Sequence, residues 1–375
     1  MALGCAFAAG AGCTATTIRR TEVKERSYPA GVTSMLWRTT IHEHGLFEPR
    51  PEECASGVVV DGRLIIGSRA GNVVALDLDD GRVVWTTSVS GGVDAEAAYD
   101  PSHDQVYVGT DDGNTYALDP ATGKIRWRNR GQGSIERRPA LGGDSVYVTS
   151  SADRIVALNP RDGSLTWRYD REAPEGFTIH GHSGPLLHQG TVYVGFSDGY
   201  LVALNAGTGD VIWARSLATA SEQYVDVDAT PTVLSDGTLL ASSYSGGLYA
   251  LGADTGDVRW RLGIEGASAV RVLGNRLYFS SPRTGLTALN MKGDTQWRQA
   301  MADSGTLTEP QAVGPYLVFA GTLNGLFVVE RGSGRLLETF DPGRGMCGLP
   351  TVGPDGRTVY ALANSGSVYA LRILY

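Results

Sequence analysis

The sequence predicts an all-β fold: an eight-bladed β-propeller of four-stranded antiparallel blades, with the ring closed by an N-terminal strand that completes the last blade. Three observations lead to this prediction. One repeat recurs at the period of a propeller blade, each copy divides into short strands, and the last copy lacks a strand that the N-terminal region supplies. No segment keeps a 3.6-residue apolar period, so helices are not expected.

The repeat follows the pattern G-x-V-x-A-L-N/D-x-x-x-G-x-x-x-W, with variations. The six clear copies are Gly71–Trp85, Gly113–Trp127, Asp153–Trp167, Gly199–Trp213, Gly246–Trp260 and Thr284–Trp297. Two degenerate copies follow: Asn324–Glu338 has Glu338 in place of the tryptophan, and Gly366–Tyr375 lacks the tryptophan strand. Successive copies of the shared apolar position lie 38 to 47 residues apart, which is the length of a propeller blade.

Each copy reads as four strands, and the first copy is the clearest example. Its predicted strands are Ser56–Val60, Leu64–Gly67, Val73–Leu78 and Val83–Thr87, with a hairpin signal Asp-Gly after the first. One such sheet cannot bury both of its faces, so the blades must stack around an axis. The tryptophans at the shared repeat position are expected to pack between blades.

The two ends of the chain set the number of blades. The last copy has strands near Leu349–Val352, Thr358–Leu362 and Ser367–Leu371, but no tryptophan strand. Residues Ser34–Arg38 have the character of such a strand, belong to no other copy and contain Trp37. Pairing this strand with the last copy closes the ring and removes two exposed sheet edges.

Residues 31–375 are predicted to form a single propeller domain, and residues 1–30 a signal-like or lipoprotein-like tail and tether. Met1–Cys13 is small, apolar and uncharged, unlike a signal peptide with a basic start. A glycine precedes both Cys5 and Cys13, which resembles the processing site of bacterial lipoproteins. Both cysteines are therefore candidates for lipidation, and an unstructured tail is the alternative.

Cys54 and Cys347 stand just before the innermost strands of the first and last copies, nine and ten residues ahead of Arg63 and Arg357. Those two blades are neighbours in a closed ring. The two residues are candidates for a disulfide in an oxidising compartment, and two inert buried thiols are the alternative.

Composition and motifs argue against several functions. The formal net charge is -8 without a cluster of lysine and arginine, which disfavours nucleic acid as a partner. No apolar run approaches the ~18 residues of a membrane-spanning helix. His180 and His182 share one face of an extended segment, but zinc needs three or four ligands and only His188 is near. No metal site is predicted.

The blade repeat resembles the repeats of pyrroloquinoline-quinone dehydrogenases and of related propellers without a cofactor. Within that group, the chain is similar to the lipoprotein propellers of the bacterial outer-membrane β-barrel assembly (BAM) machine, over nearly all residues after Thr33. Two segments carry the closer resemblance. Val225–Pro231 (VDVDATP) resembles a D-V-D-T-T-P loop of that family, and Thr178–Pro185 (TIHGHSGP) resembles its L-R-G-E-S-A-P segment.

The resemblance implies a non-catalytic scaffold that binds the periplasmic POTRA domains of the barrel-forming subunit, BamA. Matched residue by residue, Asp226, Asp228, Ile179 and Phe177 fall on partner-binding positions, and His180 stands where the family has arginine. It further implies no cofactor, a monomeric propeller within a complex, and residence on the periplasmic side of the outer membrane, with any membrane contact through a lipid. Alternatively, the two aspartates accept backbone N–H groups in the turn before the proline.

Two other functions remain open. A quinoprotein dehydrogenase would hold a calcium-bound quinone with axial carboxylates, for which Glu96, Glu136, Asp226 and Glu309 are candidates. These lie in different blades, the four cysteines are scattered, and none of the G-x-S-x-G, H-E-x-x-H or P-loop motifs occurs, so an enzyme is not predicted. A generic extracytoplasmic propeller that binds another protein or a glycan shares every feature of the fold.

Overall fold

Each copy of the repeat folds into one antiparallel sheet of four strands, and the computed structural model contains eight such sheets. It describes residues 31–43, 52–172, 182–218 and 224–375, which form strands and turns and no helix. Within these ranges, no helix that could cross a membrane is found. The predicted eight-bladed, four-stranded propeller is confirmed.

The strands are numbered in chain order, beginning with β1 (Thr33–Thr40). The innermost strands of blades one to eight are β2 (Val58–Val60), β6 (Ala98–Asp100), β10 (Ala140–Gly142), β14 (Leu186–His188), β18 (Thr232–Val233), β22 (Arg271–Leu273), β26 (Gln311–Val313) and β30 (Thr351–Val352). The second strands are β3 (Arg63–Ser68), β7 (Gln105–Gly109), β11 (Ser145–Ser150), β15 (Thr191–Gly195), β19 (Thr238–Ser243), β23 (Arg276–Ser281), β27 (Tyr316–Gly321) and β31 (Thr358–Leu362).

The third strands are β4 (Asn72–Asp77), β8 (Asn114–Leu118), β12 (Arg154–Leu158), β16 (Tyr200–Asn205), β20 (Gly247–Gly252), β24 (Gly285–Asn290), β28 (Gly325–Glu330) and β32 (Ser367–Ile373). The outermost strands of blades one to seven are β5 (Val83–Ser88), β9 (Ile125–Arg130), β13 (Leu165–Asp170), β17 (Val211–Ser216), β21 (Val258–Leu262), β25 (Thr295–Gln299) and β29 (Leu336–Phe340). Innermost strands of several neighbouring blades contact one another, namely β2 with β6, β6 with β10, β10 with β14 and β26 with β30, which places them around the axis.

Burial follows the position of a strand within its blade. The second and third strands are buried almost throughout, because a neighbouring blade covers each face. Strands covered on both faces read as continuous apolar runs rather than alternating ones, as Leu64–Ile66 and Val73–Leu76 do. The outermost strands have one edge exposed to solvent, and buried and exposed residues alternate along them.

Apolar side chains pack between the blades in eight clusters, and each cluster joins one pair of neighbours. One cluster joins blade eight to blade one, where Trp37 and Leu362 pack with Leu64 and Ile66. The core of the protein is therefore a ring without a gap.

The repeat tryptophans pack on the turn of the next blade. In five blades, the indole N–H donates to a backbone carbonyl of that turn, in the pairs Trp37–Leu78, Trp85–Pro120, Trp127–Pro160, Trp167–Ala206 and Trp213–Ala253. The indole ring lies on the glycine of that turn. At Gly163, for example, φ is 71° and an added Cβ would stand 2.4 Å from Trp127 Cε3. Both the backbone angle and the contact thus require glycine.

The N-terminal strand closes the ring as predicted. β1 pairs antiparallel with β32, with Trp37 opposite Ala370, and it becomes the outermost strand of blade eight. The strand is longer than the predicted Ser34–Arg38, since pairing extends over all of Thr33–Thr40.

Glu338 replaces the tryptophan where the ring is joined. The third and fourth strands of blade eight come from opposite ends of the chain, so no turn glycine is there for a tryptophan of blade seven to cover. The Glu338 carboxylate instead accepts hydrogen bonds from the backbone N–H of Thr33 at 2.8 Å and from its hydroxyl at 2.5 Å. The degenerate repeat is therefore adapted to the seam between the two chain ends.

Candidate partner-binding face

The loops that lead from one blade to the next share a face of the ring with the turns between second and third strands. This face is called the loop face below. The loop before β18 carries Asp226 and Asp228, on the loop face of blade five. The predicted contact residues Phe177, Ile179 and His180 lie outside the described residues, as do the lipidation candidates Cys5 and Cys13.

The segment with the two aspartates is fixed by the blades on either side of it. The N–H of Val227 donates to the carbonyl of Phe196 in blade four at 3.1 Å, and the Val227 side chain is fully buried. The carbonyl of Asp226 accepts the N–H of Tyr244 in blade five at 2.8 Å. The segment is therefore a rigid element rather than a loose loop.

Burial separates the two aspartates. Asp226 is 1% exposed, whereas Asp228 is half-buried, with its Oδ1 atom shielded from solvent. The alternation of an extended segment predicts that the two carboxylates share a face, but it does not reveal that neighbouring loops cover one of them. Of the two carboxylates, Asp228 is therefore the more accessible, whereas Asp226 lies within the segment.

A buried aspartate outside the predicted site residues joins blades three and four beside this segment. Asp153 is 2% exposed, and its carboxylate accepts hydrogen bonds from the N–H of Ser197 at 2.9 Å and from the Ser197 hydroxyl. Burial raises the pKa of Asp153. The sequence carries a signal for this residue, because aspartate stands at a repeat position where blades one, two, four and eight have glycine; its φ is 49°. A non-glycine residue in that conformation often has a specific role.

Arg171, directly after β13, is held by contacts with blades three and four. Its guanidinium pairs with Asp198 at 2.6 Å, donates to the Tyr169 hydroxyl at 3.2 Å and stacks over the ring of Tyr200 at 4.3 Å. No repeat position or motif in the sequence marks this residue. Charge pairing and stacking together restrict a guanidinium more than either does alone.

His182 belongs to no group of three possible metal ligands among the described residues. It is 1% exposed, and burial together with the nearby charge of Arg137 lowers its pKa to about 3. In the described part of the chain, the one group of three possible ligand side chains is Glu52 with Cys54 and Cys347. Both cysteine sulfurs are bonded to each other, so they cannot bind a metal.

The disulfide joins the first and last blades. Cys54 and Cys347 lie in the loops before β2 and β30, with their Cα atoms 4.5 Å apart. The sequence separation of 293 residues means that this bond closes almost the whole ring covalently.

The carboxylates around the axis are engaged by other groups. Glu96 accepts a hydrogen bond from Arg138 at 2.8 Å, and Glu309 accepts one from Arg271 at 2.5 Å. Burial raises the pKa of Glu96, and Arg138 opposes the rise. Calcium needs several free oxygen ligands, so these guanidinium-paired carboxylates do not fit the calcium of a quinone cofactor.

Eight four-stranded blades, with a tryptophan of one blade packed on the turn glycine of the next, define a β-propeller of the pyrroloquinoline-quinone repeat class. A family model described as "Outer membrane protein assembly factor BamB" matches residues 33–103 and 69–293, which together exceed half of the chain. The chain belongs to this family.

Individual relatives agree with the family. The chain is 31% identical over 203 residues to the outer membrane protein assembly factor BamB of Alkalilimnicola ehrlichii, a match covering 52% of each protein. It thus spans about half the length of that relative. The crystal structure of BamB from Moraxella catarrhalis superposes with a TM-score of 0.75 at 24% identity, over 89% of this chain and 99% of that one.

The propeller of an enzyme has the same fold. The quinohemoprotein alcohol dehydrogenase ADHIIG of Pseudomonas putida superposes with a TM-score of 0.72 at 13% identity, over 92% of this chain and 76% of that one. Identity at this level shows a common fold and nothing about activity.

Proposed function

We propose that this protein is a non-catalytic scaffold of the outer-membrane β-barrel assembly machinery, and that it binds the periplasmic POTRA domains of a BamA-like subunit. The observation that carries the proposal is the rigid Tyr224–Asp228 segment on the loop face, in a chain of the BamB family. Its hydrogen bonds to two blades hold Asp228, the more accessible of the two aspartates, in place, so little ordering entropy is lost on binding.

Phe177, Ile179 and His180 complete the proposed interface; they follow in sequence Arg171, which pairs with Asp198 of blade four. Histidine in place of arginine at residue 180 removes a permanent bidentate charge. The partner's surface should therefore rely more on contacts with Asp228 and the apolar residues than on a carboxylate opposite residue 180.

The pairing of carboxylates around the axis of the ring disfavours a catalytic role. Arg138 and Arg271 neutralise two of the four carboxylates that a calcium-bound quinone could use. Residence on the periplasmic side of the outer membrane, anchored by a lipid on Cys5 or Cys13, forms part of the proposal. Stable anchoring would need more than one acyl chain on that cysteine.

The test is a binding measurement between the purified propeller and the POTRA domains of the same organism. Asp228→Arg should weaken binding by about tenfold or more, because it reverses a charge within the interface. Asp254→Arg is the matched control: it makes the same change on an exposed turn of blade five at the opposite face, and it should leave affinity unchanged.

Asp226→Asn tests whether Asp226 holds the Tyr224–Asp228 segment in place or contacts the partner directly. It keeps the shape of the buried side chain but removes its charge, so any loss of binding should come with a less protected Tyr224–Asp228 segment in amide hydrogen exchange. Equal affinity of the wild type and Asp228→Arg would overturn the proposed interface, provided that both melt at the same temperature.

A further inference from the structure

A repeated arginine–tyrosine pair is formed in three blades, whereas blades three and six carry the arginine without the tyrosine. In blades two, five and eight, the arginine that follows the tryptophan stacks over a tyrosine on the adjacent strand. These pairs are Arg128 over Tyr116, Arg261 over Tyr249 and Arg38 over Tyr369, at 5.4, 5.3 and 5.5 Å from the ring centre. In blade three, Arg168 has Val156 as its cross-strand neighbour, so no ring lies beneath the guanidinium.

A cleft of about 290 Å³ opens at this position, between blades two and three. Ile135, Val148 and Val156 provide apolar lining. Its size lies near the lower end of ligand pockets, and cavities of about half that volume already admit a benzene ring. The space is therefore large enough for the aromatic ring that blade three lacks.

Cationic groups surround the cleft. Arg130, Arg154 and Arg168 line it, and no carboxylate does. Asp170 pairs with both Arg154 at 2.5 Å and Arg168 at 3.0 Å, whereas Arg130 has no acidic partner in the described part of the chain. The cleft carries a net positive charge in a protein whose formal charge is -8.

A polar group at the cleft is also unsatisfied. Ser150 lines it and is 7% exposed, and its hydroxyl has no hydrogen-bond partner among the described residues. Buried hydroxyls without a partner are uncommon, and they often mark a place where water or a ligand belongs.

We infer that the cleft between blades two and three binds an aromatic carboxylate. The ring enters beneath Arg168, where the tyrosine stands in blades two, five and eight, and the carboxylate pairs with Arg130. A guanidinium stacks favourably on an aromatic face and binds carboxylates with well-defined geometry, so the two arginines recognise the two ends of one ligand. This site lies apart from the Tyr224–Asp228 segment and does not depend on the proposed partner.

The first test measures binding of 3-phenylpropanoate to the full chain by isothermal titration calorimetry. Saturable binding is expected, and 3-phenylpropanamide and 3-cyclohexylpropanoate should each bind about tenfold more weakly, because one lacks the charge and the other the aromatic face. No saturable binding of 3-phenylpropanoate, or equal binding of all three compounds, overturns the inference.

Variants locate the site. Val156→Tyr rebuilds the arginine–tyrosine pair within the protein, so it should abolish binding without lowering the melting temperature. Arg130→Ala should weaken binding by about tenfold. Arg298→Ala is the control, since Arg298 holds the same repeat position in blade six, opposite Thr287 and outside the cleft. Wild-type affinity in Val156→Tyr, or an equal loss in Arg298→Ala, contradicts the assignment.

A parallel titration with N-acetylphenylalanine identifies the source of the ligand. Tighter binding than 3-phenylpropanoate would indicate the end of a polypeptide, and weaker binding a free small molecule. In either case, an aromatic carboxylate site requires that Val156→Tyr abolishes the binding.

Discussion

Asp94 lies in the loop before β6, and the folded protein disfavours the charged form of its carboxyl group. Its side chain is 15% exposed, and its ion pair with Arg69 is long, at 3.5 Å. Burial raises its pKa to about 6, with smaller contributions from Glu53, Asp111 and Glu136, and Arg69 only partly offsets the rise. At neutral pH the group is ionised in surroundings that favour its protonated form.

This shift predicts a stability that depends on pH. The pKa is higher in the folded state than the unfolded value of 3.8, so the folded protein binds the proton more tightly between pH 4 and 6. The contribution of Asp94 to stability is therefore present at low pH and is lost as the pH rises through about 6. Asp94→Asn should equal the wild type near pH 4 and be more stable by about 2 kcal/mol at pH 7.5.

Urea unfolding of both proteins at a series of pH values measures the difference. Asp236→Asn serves as a control of opposite sign, because hydrogen bonds from Thr238 lower the pKa of Asp236. That variant should lose stability at neutral pH rather than gain it. A constant difference between Asp94→Asn and the wild type from pH 4 to 7.5 would refute the shift.

At the scale of a blade, the contact between tryptophan and turn glycine joins one copy of the repeat to the next. Blade three offers a direct comparison of two glycines with positive φ. Gly163 has φ 71° and lies beneath Trp127, whereas Gly143 has φ 59° and open space around the position of a Cβ. The backbone cost of alanine is similar at the two positions, and only Gly163 adds a steric clash.

Alanine substitution should separate these two costs. Gly143→Ala is expected to lower the free energy of unfolding by about 1 kcal/mol, the cost of a left-handed alanine. Gly163→Ala should lower it by about 3 kcal/mol or more, because the tryptophan must also move. Denaturant midpoints of the two variants test this, and equal losses would mean that the packing on the glycine contributes nothing.

The whole ring could be predicted for two reasons. One sequence pattern recurs in every blade, and the two ends of the chain supply complementary parts of the last blade. Eight copies of one pattern fix the number of blades, and a lone strand with Trp37 can pair only with the blade that lacks one. The candidate site was less accessible to such reasoning. Extended alternation pairs Asp226 with Asp228, but burial of Asp226 depends on contacts with neighbouring blades. The cleft beneath Arg168 required knowing which residue lies opposite it across the strands.

The ring is closed twice, at different radii. β1 pairs with β32 at the rim, and the disulfide joins the loops before the innermost strands of blades one and eight. We expect each closure alone to keep these blades in contact. The disulfide spans 293 residues, and a crosslink over so long a segment removes much of the conformational entropy of the unfolded chain.

Removal of one closure should therefore cost stability but leave the ring shut, whereas removal of both should open it. Cys54→Ser/Cys347→Ser is expected to lower the free energy of unfolding by about 4 kcal/mol, and it should make the protein insensitive to reductant.

Trp37→Ala weakens the closure at the rim, because it removes the packing on blade one and the hydrogen bond to Leu78. Combined with the two serines, it should lower stability by more than the sum of the separate losses, since only then can a state with the seam open become populated. Amide hydrogen exchange should accelerate in β1 and β32 of the combined variant before it does so in blades three to five. Additive losses with uniform exchange would mean that the two closures act independently and that the seam never opens ahead of the rest of the ring.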